Sequence, residues 1–234
     1  MAKKTTGRGG AAGKRGMAIE EAHSRIKNMI YLNQLAPGQK IIYSDLSKRL
    51  NTSVTPVIQA LNRLEANGFV TYIPNKGYFV GEITQEEAME LYEAREALEI
   101  YIIPKIIQNI TPPAIKDIKA LFRKYNEEAD GGPSRKIILV DAQFHLSLAE
   151  YSGNEVVNTM LREIFEKLYL KYRPEYLEAP QVREVAAEHR QILAALGRGD
   201  AQTAIATTSR HIAASKERIT RALHYRQETG FYRQ

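Results

Sequence analysis

Hydrophobic positions recur every three or four residues along most of this chain, and the exception lies between residues 69 and 80. Over 44–50, Leu46 and Leu50 fall four apart, which predicts a short helix. A polar break over 51–53 follows, and then Val57, Ala60, Leu61 and Leu64 form one apolar face of a second helix. Ser53 suits its N-cap, Pro56 is tolerated in its first turn, and Gly68 suits a left-handed residue just past its end. Two strand-type runs, 69–73 and 78–80, flank the turn sequence Pro74-Asn75-Lys76-Gly77. Upstream, residues 19–35 read as a helix with Ile26, Met29, Ile30 and Asn33 on or near one face, stopped by Pro37-Gly38. Residues 40–42 predict a short strand able to pair with the hairpin. Helix, turn, helix, hairpin is the order of a winged helix-turn-helix, whose second helix enters the DNA major groove.

From residue 84 onward the period is helical throughout. Thr84-Gln85-Glu86-Glu87 reads as a capping box with Glu87 at its third helical position. The helix it opens runs through Leu91, Ala94, Leu98 and Tyr101 toward Pro104, where a kink or break is expected. Further helices are predicted from Thr111-Pro112-Pro113, over 134–151, over 155–172 up to Pro174, over 179–196, and from 201 to about 225. The expected fold class is mainly α: an N-terminal winged helix-turn-helix over 18–81 and an all-α antiparallel bundle of six helices over 84–225. Residues 1–17, rich in Gly, Lys, Arg and Ala without a period, are expected to be a disordered basic tail.

Composition narrows the function classes. With 44 % hydrophobic residues in 234, the chain can bury a core. The absence of cysteine excludes disulfides and thiolate metal sites, and it fits a reducing, cytoplasmic setting. No apolar run approaches the ~20 residues of a membrane span, and no signal-peptide core precedes the first helix. Charge is unevenly placed: residues 1–81 hold 12 Lys and Arg against 4 Asp and Glu, whereas residues 82–234 hold 21 against 23. The positive excess thus lies with the helix-turn-helix, where phosphate neutralisation needs it.

Four side chains invite metal chemistry. Asp141 and His145 are four apart on one predicted helix and project side by side, while His189 and His211 lie on two later helices. Three imidazoles and a carboxylate on three helices of one bundle can hold a divalent ion. Spacing alone leaves open whether they converge, since each histidine by itself also reads as a surface or core residue. His23 and His224 stand outside the set.

Two resemblances join these readings. Leu35-x-Pro37-Gly38, Ser44-Asp45-Leu46-Ser47 and Thr55-Pro56-Val57-x-x-Ala60-Leu61-x-x-Leu64-Glu65-x-x-Gly68-Phe69-Val70, with the wing Pro74–Val80, resemble the DNA-binding domain of the GntR family. Glu93-Ala94-Arg95-x-x-Leu98-Glu99, Asp141-x-x-Phe144-His145, Ser152-Gly153-Asn154, Glu188-His189-Arg190-x-Ile192-Leu193 and Gly199-Asp200 before His211 resemble the FCD effector domain of the FadR-like subfamily. The second resemblance implies that Asp141, His145, His189 and His211 hold a divalent metal, zinc or nickel before manganese, cobalt or iron. It also implies a small carboxylate effector at or beside that metal. Arg95 is the matching first-helix arginine, with Arg95–Glu99 pairing as the competing structural reading. Tyr172, Arg173 and Asn154 are further effector candidates, Asn154 being a helix cap first. One departure concerns the DNA: the family commonly carries arginine at the positions of Val54 and Ile58, and neither residue here can make a bidentate contact to guanine. The candidate DNA contacts are therefore Ser44, Thr55, Gln59, Asn62 and Arg63, with Lys76 and Gly77 at the wing tip, and the family's usual operator does not carry over.

The expected function is a transcriptional regulator, a repressor acting as a homodimer on double-stranded operator DNA, released by the small acid and resident with the nucleoid when bound. Two other classes remain: a metal-dependent hydrolase fused to a DNA-binding module, and a DNA-binding protein with a purely structural metal. Against the hydrolase, no further carboxylate or histidine stands at motif spacing as a general base.

Overall fold

In the computed structural model, which describes residues 9–229, the chain divides into two units between Glu82 and Ile83. The first contains helices α1 (Gly9–Tyr31), α2 (Tyr43–Leu50) and α3 (Val54–Ala66) and strands β1 (Lys40–Ile41), β2 (Val70–Ile73) and β3 (Gly77–Val80). Ile26 and Ile30 of α1, Leu46 of α2 and Val57, Leu61 and Leu64 of α3 are buried as the i, i+3, i+4 pattern requires. Ser53 occupies the α3 N-cap, and Gly68 reverses the chain after α3 at φ 74°, a left-handed conformation that glycine adopts without a Cβ clash. The sheet order is β1-β3-β2, antiparallel throughout, with Ile41 opposite Tyr78 and Thr71 opposite Phe79. The short strand read over 40–42 does join the hairpin.

Two expectations for α1 are corrected. The helix ends at Tyr31 instead of Leu35, because Asn33 turns left-handed (φ 57°) and Leu35 folds back to donate to the Met29 carbonyl (3.2 Å). At its other end the helix begins at Gly9, so residues 9–17 of the expected disordered tail are helical; residues 1–8 lie outside the described part. Ala11, Ala12, Lys14 and Arg15 have high helix propensity, and extending a nucleated helix costs far less than starting one.

The second unit is a bundle of α4 (Gln85–Asn109), α5 (Pro112–Asp130), α6 (Arg135–Glu150), α7 (Glu155–Lys171), α8 (Ala179–Gly197) and α9 (Ala201–Thr229), with a 3-10 turn at Pro174–Tyr176. α4 packs most extensively on α9, α5 on α6 and α8, and α8 on α9. Side-chain oxygens of Thr84, Thr111, Ser134 and Asn154 cap α4 to α7, those of Thr84 and Asn154 as the sequence predicts. Thr84→Ala should therefore destabilise this unit by about 1 kcal/mol in urea unfolding; an unchanged midpoint would refute the cap's contribution. The capping box itself is only half made. Thr84 accepts from the Glu87 amide (3.1 Å), but the Glu87 carboxylate is taken by Lys171 Nζ at 2.6 and 2.8 Å, a charge-assisted partner stronger than a backbone amide. Pro104 does not interrupt α4, which continues to Asn109. Ile102, Ile103 and Ile106, all buried, anchor the helix on both sides of the lost hydrogen bond while Pro104 faces outward. No described helix is long and apolar enough to cross a membrane.

Candidate metal centre, ligand pocket and nucleic-acid face

The bundle gathers the four candidate ligands. One side-chain atom from each of Asp141, His145, His189 and His211 lies within 4.8 Å of all the others. His145 Nε2 is 3.2 Å from both His189 Nε2 and His211 Nε2, and Asp141 Oδ1 is 3.3 Å from His189 Nε2. Asp141 and His145 come from adjacent turns of α6, His189 from α8 and His211 from α9. The imidazoles are fully enclosed, whereas 26 % of the Asp141 side chain stays accessible, so the cluster opens on the aspartate side.

Outer partners orient the rings. Glu99 Oε2 lies 2.7 Å from His145 Nδ1, and Glu188 Oε2 lies 2.6 Å from His211 Nδ1. Both carboxyls are held low, at about 2: burial alone would raise them, but Arg95 and His145 outweigh it at Glu99, as do His211 and Arg218 at Glu188. As carboxylates they only accept, so each orients its ring by taking a hydrogen bond from Nδ1 and leaves Nε2 facing the cluster. The Nε2 atoms of His145 and His211 thus face each other across 3.2 Å. Burial pushes His189 and His211 down, the latter to about 3, which keeps the rings neutral. At Asp141, burial opposes ionisation, but the His189 hydrogen bond and the neighbouring histidines hold its carboxyl well below the usual range. Neutral imidazole nitrogens and an ionised carboxylate converging on one point are the donor set of a divalent transition metal, and they fit zinc or nickel without choosing between them. Phe144 stacks on His189 (ring centroids 4.2 Å, 25°) and Phe165 on His145 (5.5 Å, 20°), so aromatic packing also sets the ring planes.

Beside Asp141 lies a small pocket of about 70 Å³. Arg95, Tyr172, Tyr92, Ser215 and Arg218 are among its lining residues. Arg95 is 2 % exposed and donates through Nε to Glu99 (2.5 Å), so the structural pairing is real; its Nη2 is buried without a hydrogen-bond partner. Of the other effector candidates, Tyr172 lines the pocket, but Arg173 and Asn154 do not. Asn154 accepts from the Val157 amide at the start of α7 (3.2 Å). Sequence reading missed Tyr92, Ser215 and Arg218, although a helical count finds them: Ser215 and Arg218 are four and seven residues past His211, and Tyr92 is three before Arg95.

On the winged unit, Thr55 and Asn62 of α3 are exposed, Gln59 is half-buried, and Lys76 is exposed in the β2–β3 turn beside Gly77 (φ 93°). Ser44 is exposed in the first turn of α2. Two candidate contacts already have protein partners: Arg63 pairs with Glu20 of α1 (2.7 Å), and Asn62 Oδ1 accepts from the Tyr78 hydroxyl.

Known proteins agree with both halves. The pattern described as "Bacterial regulatory proteins, gntR family" matches residues 18–80, and the FCD domain matches residues 90–214. The chain is similar to the HTH-type transcriptional regulator McbR of Escherichia coli, 25 % identical over 178 residues that span 75 % of this chain and 80 % of McbR. It is similar also to the HTH-type transcriptional repressor GlaR of E. coli, 25 % identical over 63 % of this chain and 69 % of GlaR. Among solved structures, a GntR regulator from Rhodococcus sp. RHA1 superposes with a TM-score of 0.73 at 18 % identity, covering 92 % of this chain and 99 % of that one. A winged helix-turn-helix followed by a bundle of FCD type, matched over most of its length, makes this chain a member of the GntR family of bacterial regulators, a DNA-binding transcriptional regulator and not an enzyme.

Proposed function

We propose that the chain is a repressor whose operator binding is controlled by a small organic acid, bound beside a divalent metal held by Asp141, His145, His189 and His211. The observation that carries this reading is the pair of Nε2 atoms of His145 and His211 facing each other at 3.2 Å next to a pocket with a buried Arg95 Nη2 that lacks a hydrogen-bond partner. Unlike a purely structural centre, this one opens on a partly accessible carboxylate and a pocket beside it. The metal, when bound, supplies a Lewis-acid centre for a carboxylate. Arg95 offers a guanidinium hydrogen bond to the same group, and Arg218, fixed bidentately by Glu188 (3.0 and 2.9 Å), keeps the His211 side rigid. Repression accords with the name carried by GlaR.

On DNA, the protein acts as a homodimer reading a pseudo-palindrome. Thr55 and Gln59 face the major groove, Lys76 and Gly77 the minor groove or its phosphates, and Ser44 a phosphate. Val54 and Ile58 favour thymine methyls over guanine. Residency in the cytoplasm with the nucleoid follows from this role. Lys76→Ala should weaken binding to all sequences alike and reduce the slope of log K against log salt by about 1, while Gln59→Ala should relax preference at one base position. Binding sites for both tests come from selection on a random DNA pool. The decisive experiment is release of the selected site from zinc-loaded protein by a panel of organic acids, repeated after chelation. Release by one acid class that disappears on chelation supports the reading; DNA affinity indifferent to every acid and to chelation refutes it.

A further inference from the structure

The walls of the pocket say which acids can enter it, if the metal-and-acid reading above holds. We propose that it selects a monocarboxylate carrying an apolar body, and rejects dicarboxylates and polyhydroxy acids.

Charge is the first argument. The lining holds two cations, Arg95 and Arg218. Arg218 is already neutralised by Glu188 through both guanidinium nitrogens and approached by Glu184 at 3.7 Å. That leaves Arg95, whose Nη2 is buried without a hydrogen-bond partner, as the cation available beside Asp141. One carboxylate is matched there. A second would lie in a wall without a free cation, and burying an unpaired charge is strongly unfavourable.

The second argument is the far wall. Ile137 and Ile138 precede Asp141 by about one turn of α6, and Val182 and Val185 precede His189 by two turns and one on α8. Leu168 and Leu177 belong to the same lining. Because α6 and α8 both approach the cluster with these side chains upstream of their ligands, the lining away from Asp141 is apolar. At 1.5 Å per residue, the seven residues from Val182 to His189 span about 10 Å along α8.

Third, three of the polar groups in the lining already have protein partners. The Tyr125 hydroxyl donates to the Val182 carbonyl (3.5 Å), Ser215 Oγ accepts from Arg218 (2.9 Å), and Gln181 Oε1 accepts from the Glu178 amide (3.1 Å). A sugar acid entering here would exchange its water for an apolar surface and leave hydroxyls short of partners.

The test is calorimetric titration of zinc-loaded full-length protein, its zinc content checked before and after, with phenylacetate, acetate, succinate and gluconate. Phenylacetate should bind at least about 30-fold tighter than acetate, from burial of its ring. Succinate and gluconate should gain nothing over acetate. Val185→Asn, with Ile138→Asn as an independent second variant, should bring phenylacetate to within about threefold of acetate measured on the same variant. Succinate or gluconate binding tighter than phenylacetate, or both variants keeping the full ring preference, would overturn the selectivity and leave the acid-sensing reading standing. Zinc-loaded protein that binds none of the four acids would overturn both.

Discussion

Chelation should lower the melting temperature of the wild-type protein by roughly 10 °C and leave that of His211→Ala unchanged. A metal that binds only the folded chain stabilises it by about 4 kcal/mol when its free concentration is a thousand times its dissociation constant. For a unit of this size each kcal/mol moves the midpoint by about 2–4 °C. The size of the effect rests on how the ligands are distributed. α6, α8 and α9 each contribute, so the unfolded chain has no preformed site and the binding energy becomes folding energy. His211→Ala also leaves a void in a ring cluster that is almost fully enclosed, so the variant will melt lower from the outset. The informative quantity is therefore the difference between loaded and chelated protein, measured separately for each variant. Elemental analysis should give one ion per wild-type chain and far less in the variant. A wild-type protein whose melting is indifferent to chelator would refute the centre, while the winged unit would keep its assignment.

The second large effect is expected at Arg95. Arg95→Met should destabilise the metal-free protein by about 3–5 kcal/mol in urea unfolding, because it strands the Glu99 carboxylate, itself 6 % exposed, with His145 as its remaining partner. Burial opposes the Arg95 charge, yet Glu99 and Asp141 outweigh it and raise its pKa, and Glu99 is correspondingly lowered to about 2. The two residues therefore stabilise each other as ions. Adding Glu99→Gln to Arg95→Met should recover a substantial part of the loss, since the double variant buries no lone charge. If Arg95→Met alone costs less than about 1 kcal/mol, the pair is solvated in a way its burial denies. The loss of Glu99 should also weaken metal binding about 10- to 100-fold, because it orients the His145 ring.

The sequence foretold the helix-turn-helix well because each of its elements is punctuated locally: Ser53 before α3, Gly68 after it, and Pro74-Asn75-Lys76-Gly77 at the hairpin. Caps on Thr84 and Asn154 were legible for the same reason. What escaped was decided by partners distant in sequence. Glu87 abandons its own helix end for Lys171, 84 residues away. Pro104 is carried through by isoleucines that pack on the bundle core. Glu188 sits next to His189 in sequence, but neighbours on a helix diverge by about 100°, and its carboxylate serves His211 on α9 instead. The four inner ligands could be nominated from spacing and resemblance, whereas Arg218 and Ser215 required the position of α9 in space.

The run Arg218–Glu188–His211 joins the pocket wall to the metal cluster through hydrogen bonds of 2.6 to 3.0 Å. If occupation of the pocket shifts Arg218, the shift reaches the imidazole, and the effect of acid on metal must equal that of metal on acid. If acid tightens the hold on metal, metal tightens the hold on acid by the same factor. A cell short of divalent ions would then lose its sensitivity to the acid without any change in the acid's concentration, so such a protein would answer to the product of two supplies, a nutrient and a metal.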